Sequence, residues 1–97
     1  MKVILSVNKV SIRLTEERWL HITEEHSEMA GYYYDAIEAI SSPEAIYAGK
    51  SGERIALKTL STDKSIVVIY KEVSSEDGFV ITSKKNQFER RVKLWPL

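Results

Sequence analysis

The apolar residues of this chain change period at Ser41-Ser42-Pro43, and that change constrains the fold more than any other feature. Before it, Tyr33, Ala36, Ile37 and Ile40 recur at i, i+3, i+4 and i+7, the stripe of a helix expected from Met29 to Ile40. Proline disfavours helical backbone in the residue before it, so the helix stops there. After it, apolar residues come in short runs: Ala45–Ala48, Arg54–Leu60, Ile66–Tyr70 and Phe79–Thr82. The run Ile66–Tyr70 (IVVIY) is almost unbroken β-branched sequence, which predicts a central strand covered on both faces. The turn clusters Gly49-Lys50-Ser51-Gly52, Ser61–Lys64 and Glu76-Asp77-Gly78 separate these strands.

Upstream, Thr15 reads as an N-cap, because Glu16 and Glu17 follow in the first turn, where carboxylates favour the helix dipole. The first helix should run to about Glu25, with Trp19, Ile22 and His26 on one stripe. Met1–Arg13 holds two alternations, Val3/Leu5/Val7 and Val10/Ile12/Leu14, around Asn8-Lys9, and fits either a hairpin or one bent strand. The tail from Phe88 fits a strand through Val92 and Leu94, or a helix through Val92 and Trp95. The expected fold is α+β: two N-terminal helices packed on one face of a mainly antiparallel sheet of about four strands.

Ninety-seven residues suit one domain and exclude a two-domain enzyme with its own cofactor-binding unit. The chain has no cysteine, which removes disulfides, thiolate metal sites and cysteine nucleophiles. No apolar run is long enough to span a bilayer, and Met1–Ser6 does not resemble a signal peptide. The expectation is a cytoplasmic protein without a membrane partner. Fourteen basic residues cancel fourteen acidic ones, yet the charges are segregated. Residues 1–48 carry four basic and eight acidic side chains, and residues 49–97 carry ten and six. The cancellation argues against indiscriminate coating of nucleic acid, and the segregation leaves room for a localised RNA site or an acidic partner.

Candidate chemistry centres on the first helix. Arg18, His21 and Glu25 fall at i, i+3 and i+7, on one stripe, and His26 stands at the helix end. Histidine titrates near neutrality and serves as acid or base. An offset of five residues turns the two histidines roughly 140° apart, so they do not form a helical metal pair. No metal and no cofactor are expected. Cleavage of RNA by its own 2′-OH needs only a base, an acid and a cation for the phosphorane, a set that His21, His26 and Arg18 can supply. The structural alternative is that both histidines are ordinary helix-end residues, with Arg18 paired to Glu17 or Glu25.

Further along, Lys58, Tyr70, Thr82, Lys84 and Lys85 fall on or just after the expected strands. Thr82-Ser83-Lys84-Lys85 ends a strand with hydroxyls and cations suited to a phosphate. Arg90, Arg91 and Lys93 add charge beside Trp95, which offers a ring for a base to stack on. Lysines at strand ends also protect sheet edges without any ligand. Tyr32-Tyr33-Tyr34 covers most of a helical turn, so one ring faces outward.

Several of these segments, taken in order, resemble one family. Leu14-Thr15-Glu16-Glu17-Arg18-Trp19-Leu20-His21-Ile22, followed by His26-Ser27-Glu28-Met29, resembles the opening motif of the phage-associated barnase/EndoU/colicin/RelE-like (BECR-fold) nucleases. Ser42-Pro43-Glu44-Ala45-Ile46-Tyr47 resembles that family's turn into its sheet, and Ile66–Lys71 and Gly78–Thr82 resemble two of its strands. The resemblance covers about residues 12–83, leaving 84–97 as a basic tail. Ser27 stands where the family prefers proline, and Ser83-Lys84-Lys85 replaces its small-plus-aromatic continuation.

The resemblance implies a BECR-like domain and metal-independent RNA cleavage, toxin-like, with an acidic antitoxin or immunity protein as partner. It places the family's polar positions on Arg18, His21, His26 and Thr82, with Lys58 and Tyr70 as further assignments. Apart from the resemblance, Lys58, Lys84 and Lys85 are expected, from their charge near strand ends, to position the RNA backbone. The competing expectation is a non-catalytic protein-interaction module of a phage or mobile element on the same fold. Convergence of Arg18, His21, His26 and Thr82 in one cleft beside the basic strands would favour the enzyme, and His21 and Thr82 on opposite faces would count against it.

Overall fold

Helix formation begins where Thr15 caps it: its hydroxyl oxygen accepts the Arg18 N–H at 3.0 Å. The computed structural model of the chain describes residues 1–86 and 92–96. In chain order the elements are β1 (Lys2–Leu5), β2 (Ser11–Leu14), α1 (Glu16–Glu25), a 3-10 turn (Ser27–Met29), α2 (Tyr33–Ser41), β3 (Ala45–Ala48), β4 (Arg54–Ser61), β5 (Lys64–Glu72), β6 (Asp77–Lys85) and β7 (Lys93–Trp95). The second helix starts later than its apolar stripe suggests. Ala30 is extended and Gly31 takes φ +91°, a left-handed conformation that favours glycine and breaks the helical path before Tyr33.

The expected sheet of about four mainly antiparallel strands is corrected by the structure. Among the described residues one mixed sheet of seven strands runs in the order β1-β2-β6-β5-β4-β3-β7. The N-terminal segment is a hairpin, closed by the Ser6 N–H to Val10 carbonyl bond at 2.9 Å. It joins the sheet through a parallel pairing of β2 with β6, in which Ser11, Ile12 and Arg13 face Asp77, Gly78 and Phe79. β6 is nine residues long, and β5 takes only one of its edges. The other edge carries unpaired backbone groups, and β2 satisfies its first three residues. At the far side Lys93–Trp95 pairs with β3, so part of the expected basic tail is a strand, and Lys84 and Lys85 belong to β6. Phe88, Arg90 and Arg91 lie outside the described residues.

β5 is the middle strand of the seven. Its residues Ile66, Val68 and Tyr70 join the main core with Ile12, Ala56 and Val80 and with Ile22, Met29, Ala36, Ala39 and Ile40 from the helical segments. Val67 points to the other face and is also fully buried. The unbroken apolar run therefore does sit in a strand covered on both faces. Burial of a side chain such as Ile22 or Ile40 contributes roughly 1.5–3 kcal/mol, which is what holds two helices of ten and nine residues to the sheet.

Candidate functional site

β2 ends at Leu14, so among the described residues the second half of β6 has no strand on its outer edge. The chain turns directly into α1 and lays the helical segment along that edge. At one end Arg18 Nη1 donates to the Ile81 carbonyl at 3.4 Å. Ile81 is the extra residue of a bulge, where the register passes from Ile69 opposite Thr82 to Tyr70 opposite Val80. At the other end the Glu28 carboxylate accepts its own backbone N–H and that of Lys85. These bonds hold its carboxyl below the usual carboxylate range, so Glu28 is ionised at neutral pH.

His26 is the C-cap of α1, with its N–H bonded to the Ile22 carbonyl at 2.7 Å. Its Nδ1 lies 3.5 Å from Glu28 Oε2, and both side chains are about one-third exposed. Lys84 and Lys85 line the same open depression of about 470 Å³. A titratable imidazole, an ionised carboxylate beside it and the Lys85 side chain thus share one surface, while Lys84, paired with Val67, carries its side chain on the face away from the helices.

His21 lies elsewhere. Its Nε2 is 2.7 Å from Glu25 Oε1 one helical turn on, with both side chains 56% exposed. His21 and Arg18 line a second depression, of about 540 Å³, with Thr15, Glu17, Leu20 and Glu24. Eight residues of helix separate Arg18 from His26, about 12 Å along the axis, so one phosphodiester does not meet both backbones.

Thr82 pairs with Ile69 on the face of the sheet away from the helices. It lines a third hollow with Ile55, Ile69, Ile81 and the Gly49–Glu53 loop. Arg18, His21, His26 and Thr82 therefore do not line one cleft, and a catalytic centre built from these four residues is not supported. Lys58 faces α2, its Nζ 3.2 Å from Glu38 Oε1. Tyr70 is fully buried in the core, where it offers no surface to substrate. Burial pushes its hydroxyl pKa up against the lowering pull of the adjacent Arg54 guanidinium, and among the described residues no group makes a well-formed hydrogen bond to that hydroxyl.

From the expected set the structure brings the His26 and Lys85 side chains together, with Lys84 at the rim of the same depression, and adds Glu28. The sequence carried a signal for Glu28, a carboxylate two residues beyond a histidine just past a helix end. Its role depends on the Lys85 backbone, which sequence spacing does not reveal. The tyrosine run divides three ways. Tyr32 Oη is 2.7 Å from Lys64 Nζ, Tyr33 stacks edge-on against Trp19 with centroids 5.3 Å apart, and Tyr34 is 79% exposed.

Among the described residues no group of three or more histidine or carboxylate side chains is placed to hold a metal. No helix among them is long and apolar enough to cross a membrane. No family model, curated protein or solved structure matches the chain.

Proposed function

We propose that this domain binds single-stranded RNA and cleaves it without a metal at the depression formed by His26, Glu28, Lys84 and Lys85. The observation that carries the reading is the assembly of an imidazole, its carboxylate partner and the Lys85 cation at one open depression. His26 takes the proton of the 2′-OH as that oxygen attacks phosphorus. Glu28 orients the imidazole and stabilises the imidazolium that forms. Lys85 stabilises the charge of the phosphorane and gives a proton to the departing 5′-oxygen, and Lys84 holds the RNA backbone beside it. The products are a 2′,3′-cyclic phosphate and a free 5′-hydroxyl. The resemblance to the phage-associated nucleases shares only His26 with this centre, and it is the source of the cytoplasmic, toxin-like setting and the acidic inhibitor that we include in the proposal. Arg18, His21 and Thr82 fall outside this reading of the centre.

The test is cleavage of a labelled single-stranded RNA in EDTA by wild type, His26→Ala, Lys84→Ala/Lys85→Ala and His21→Ala. A general acid–base group contributes roughly 10²- to 10⁴-fold, so His26→Ala should lose at least the lower figure while His21→Ala stays near wild type. The reverse pattern would move the centre to His21 and Glu25.

A second reading has its own observation. Leu20 and Tyr34 are 60% and 79% exposed, and Tyr34 continues the Trp19–Tyr33 stack with a centroid distance of 5.2 Å. Such aromatic surface suits a protein-interaction module. Absence of both RNA cleavage and RNA binding in the wild type would leave that reading standing.

A further inference from the structure

The two edges of the sheet differ in how they are finished. β7 is three residues long, opens with exposed Lys93 and is followed by Pro96, features that blunt an edge. β1 is longer, regular and proline-free, and it exposes two large apolar side chains, Val3 at 48% and Leu5 at 53%. Both lie on the face away from the helices, since Ile4 between them enters the core.

The free backbone groups of β1 belong to the same two residues. The Ser6 N–H bonds the Val10 carbonyl, and the register continues as Ile4 opposite Ile12 and Lys2 opposite Leu14. In an antiparallel ladder bonded and non-bonded pairs alternate, so the even residues bond to β2. The N–H and C=O groups of Val3 and Leu5 then point outward.

We propose that β1 is a homodimer edge, on which a second copy of this chain pairs antiparallel about a two-fold axis through Ile4. Only a register that matches residues of equal parity keeps the same side chains on the same face. Centring on Ile4 sets Val3 opposite Leu5 of the other copy, twice. That register uses the outward N–H and C=O of both residues in both copies and puts four exposed apolar side chains side by side. Lys2 lies opposite Ser6 of the other copy, so no like charges meet. The surface is its own complement, which is why the occupant is a second copy and the contact closes as a dimer.

The test is mass by light scattering at high micromolar concentration. Wild type should give twice the chain mass, and a monomer or an open-ended series of larger species overturns the proposal. Leu5→Pro removes the outward N–H and the exposed Leu5 side chain while leaving the bonds of β1 to β2 in place, so it should give a folded monomer by circular dichroism. A dimer that survives this substitution lies on another surface and overturns the proposal. Independently of that variant, Val3→Glu/Leu5→Glu and Val3→Lys/Leu5→Lys alter only exposed side chains. Each alone should be monomeric through like charges directly opposed, and an equimolar mixture should recover the dimer mass. A mixture that stays monomeric overturns the register.

Discussion

The Arg18 guanidinium reaches from α1 to the Ile81 carbonyl at 3.4 Å, across an edge of β6 that no strand among the described residues covers. At that length the bond is weak and solvent-exposed, and water replaces it readily. Arg18→Ala should lower stability by only about 0.5 kcal/mol in a urea titration, within the low end for a neutral exchange with water. RNA cleavage by this variant should stay within a few-fold of wild type if the centre lies at His26. A loss of a hundredfold or more would return Arg18 to the reacting group.

Glu28 closes the other end of that seam. Its carboxyl is held below its ordinary value by backbone N–H groups, so its contribution is present above the unfolded value near 4.5 and lost as pH falls through the lower folded value. Glu28→Gln should therefore unfold at lower urea than wild type at pH 7, and the gap should shrink in acid. Parallel titration curves at every pH would show that the carboxylate charge does not hold the seam.

Tyr70 places a hydroxyl in the core with no well-formed hydrogen bond among the described residues. An unsatisfied buried polar group costs roughly 1–3 kcal/mol, and removing it recovers part of that. Tyr70→Phe should raise the unfolding free energy by up to about 1 kcal/mol in urea. The same variant should cleave RNA at the wild-type rate, since the ring touches no solvent. A marked loss of binding would contradict its burial.

Gly78 sits where β2 meets β6, opposite Ile12. A Cβ there would collide with the Lys71 carbonyl oxygen and approach Ile12 Cδ1 to 2.7 Å. Gly78→Ala should cost about 1–3 kcal/mol, the range for overpacking, by calorimetry. Loss of amide protection should concentrate in the β1–β2 hairpin. Uniform loss across the sheet would mean that the hairpin is not a separable unit.

What the sequence made legible was local. Thr15 as a cap, the end of α1 at Glu25 and the covered strand at Ile66–Tyr70 follow from neighbours within a turn or a run. The number of strands did not follow, because the pairing of Ile12 with Gly78 and of Ile46 with Trp95 joins residues far apart in the chain. Nothing in a short alternation such as Val10/Ile12/Leu14 says which edge will accept it. The candidate site divides in the same way. The histidines and strand-end lysines stood out by type, but helical spacing gave no warning that Arg18 and His26 serve opposite ends of one seam. Thr82 was separated from them by the face it takes in the sheet, which a bulge at Ile81 resets.

Ser11 and Asp77 meet across the parallel junction, yet during synthesis the first leaves the ribosome long before the second. A two-stranded hairpin is marginal by itself, so β1 and β2 emerge first and must wait for β6 before they have a sheet to join. Through most of translation Ile4 and Ile12 have no core to enter. The β1–β2 hairpin therefore completes its burial only once β6, more than sixty residues later in the chain, has been made.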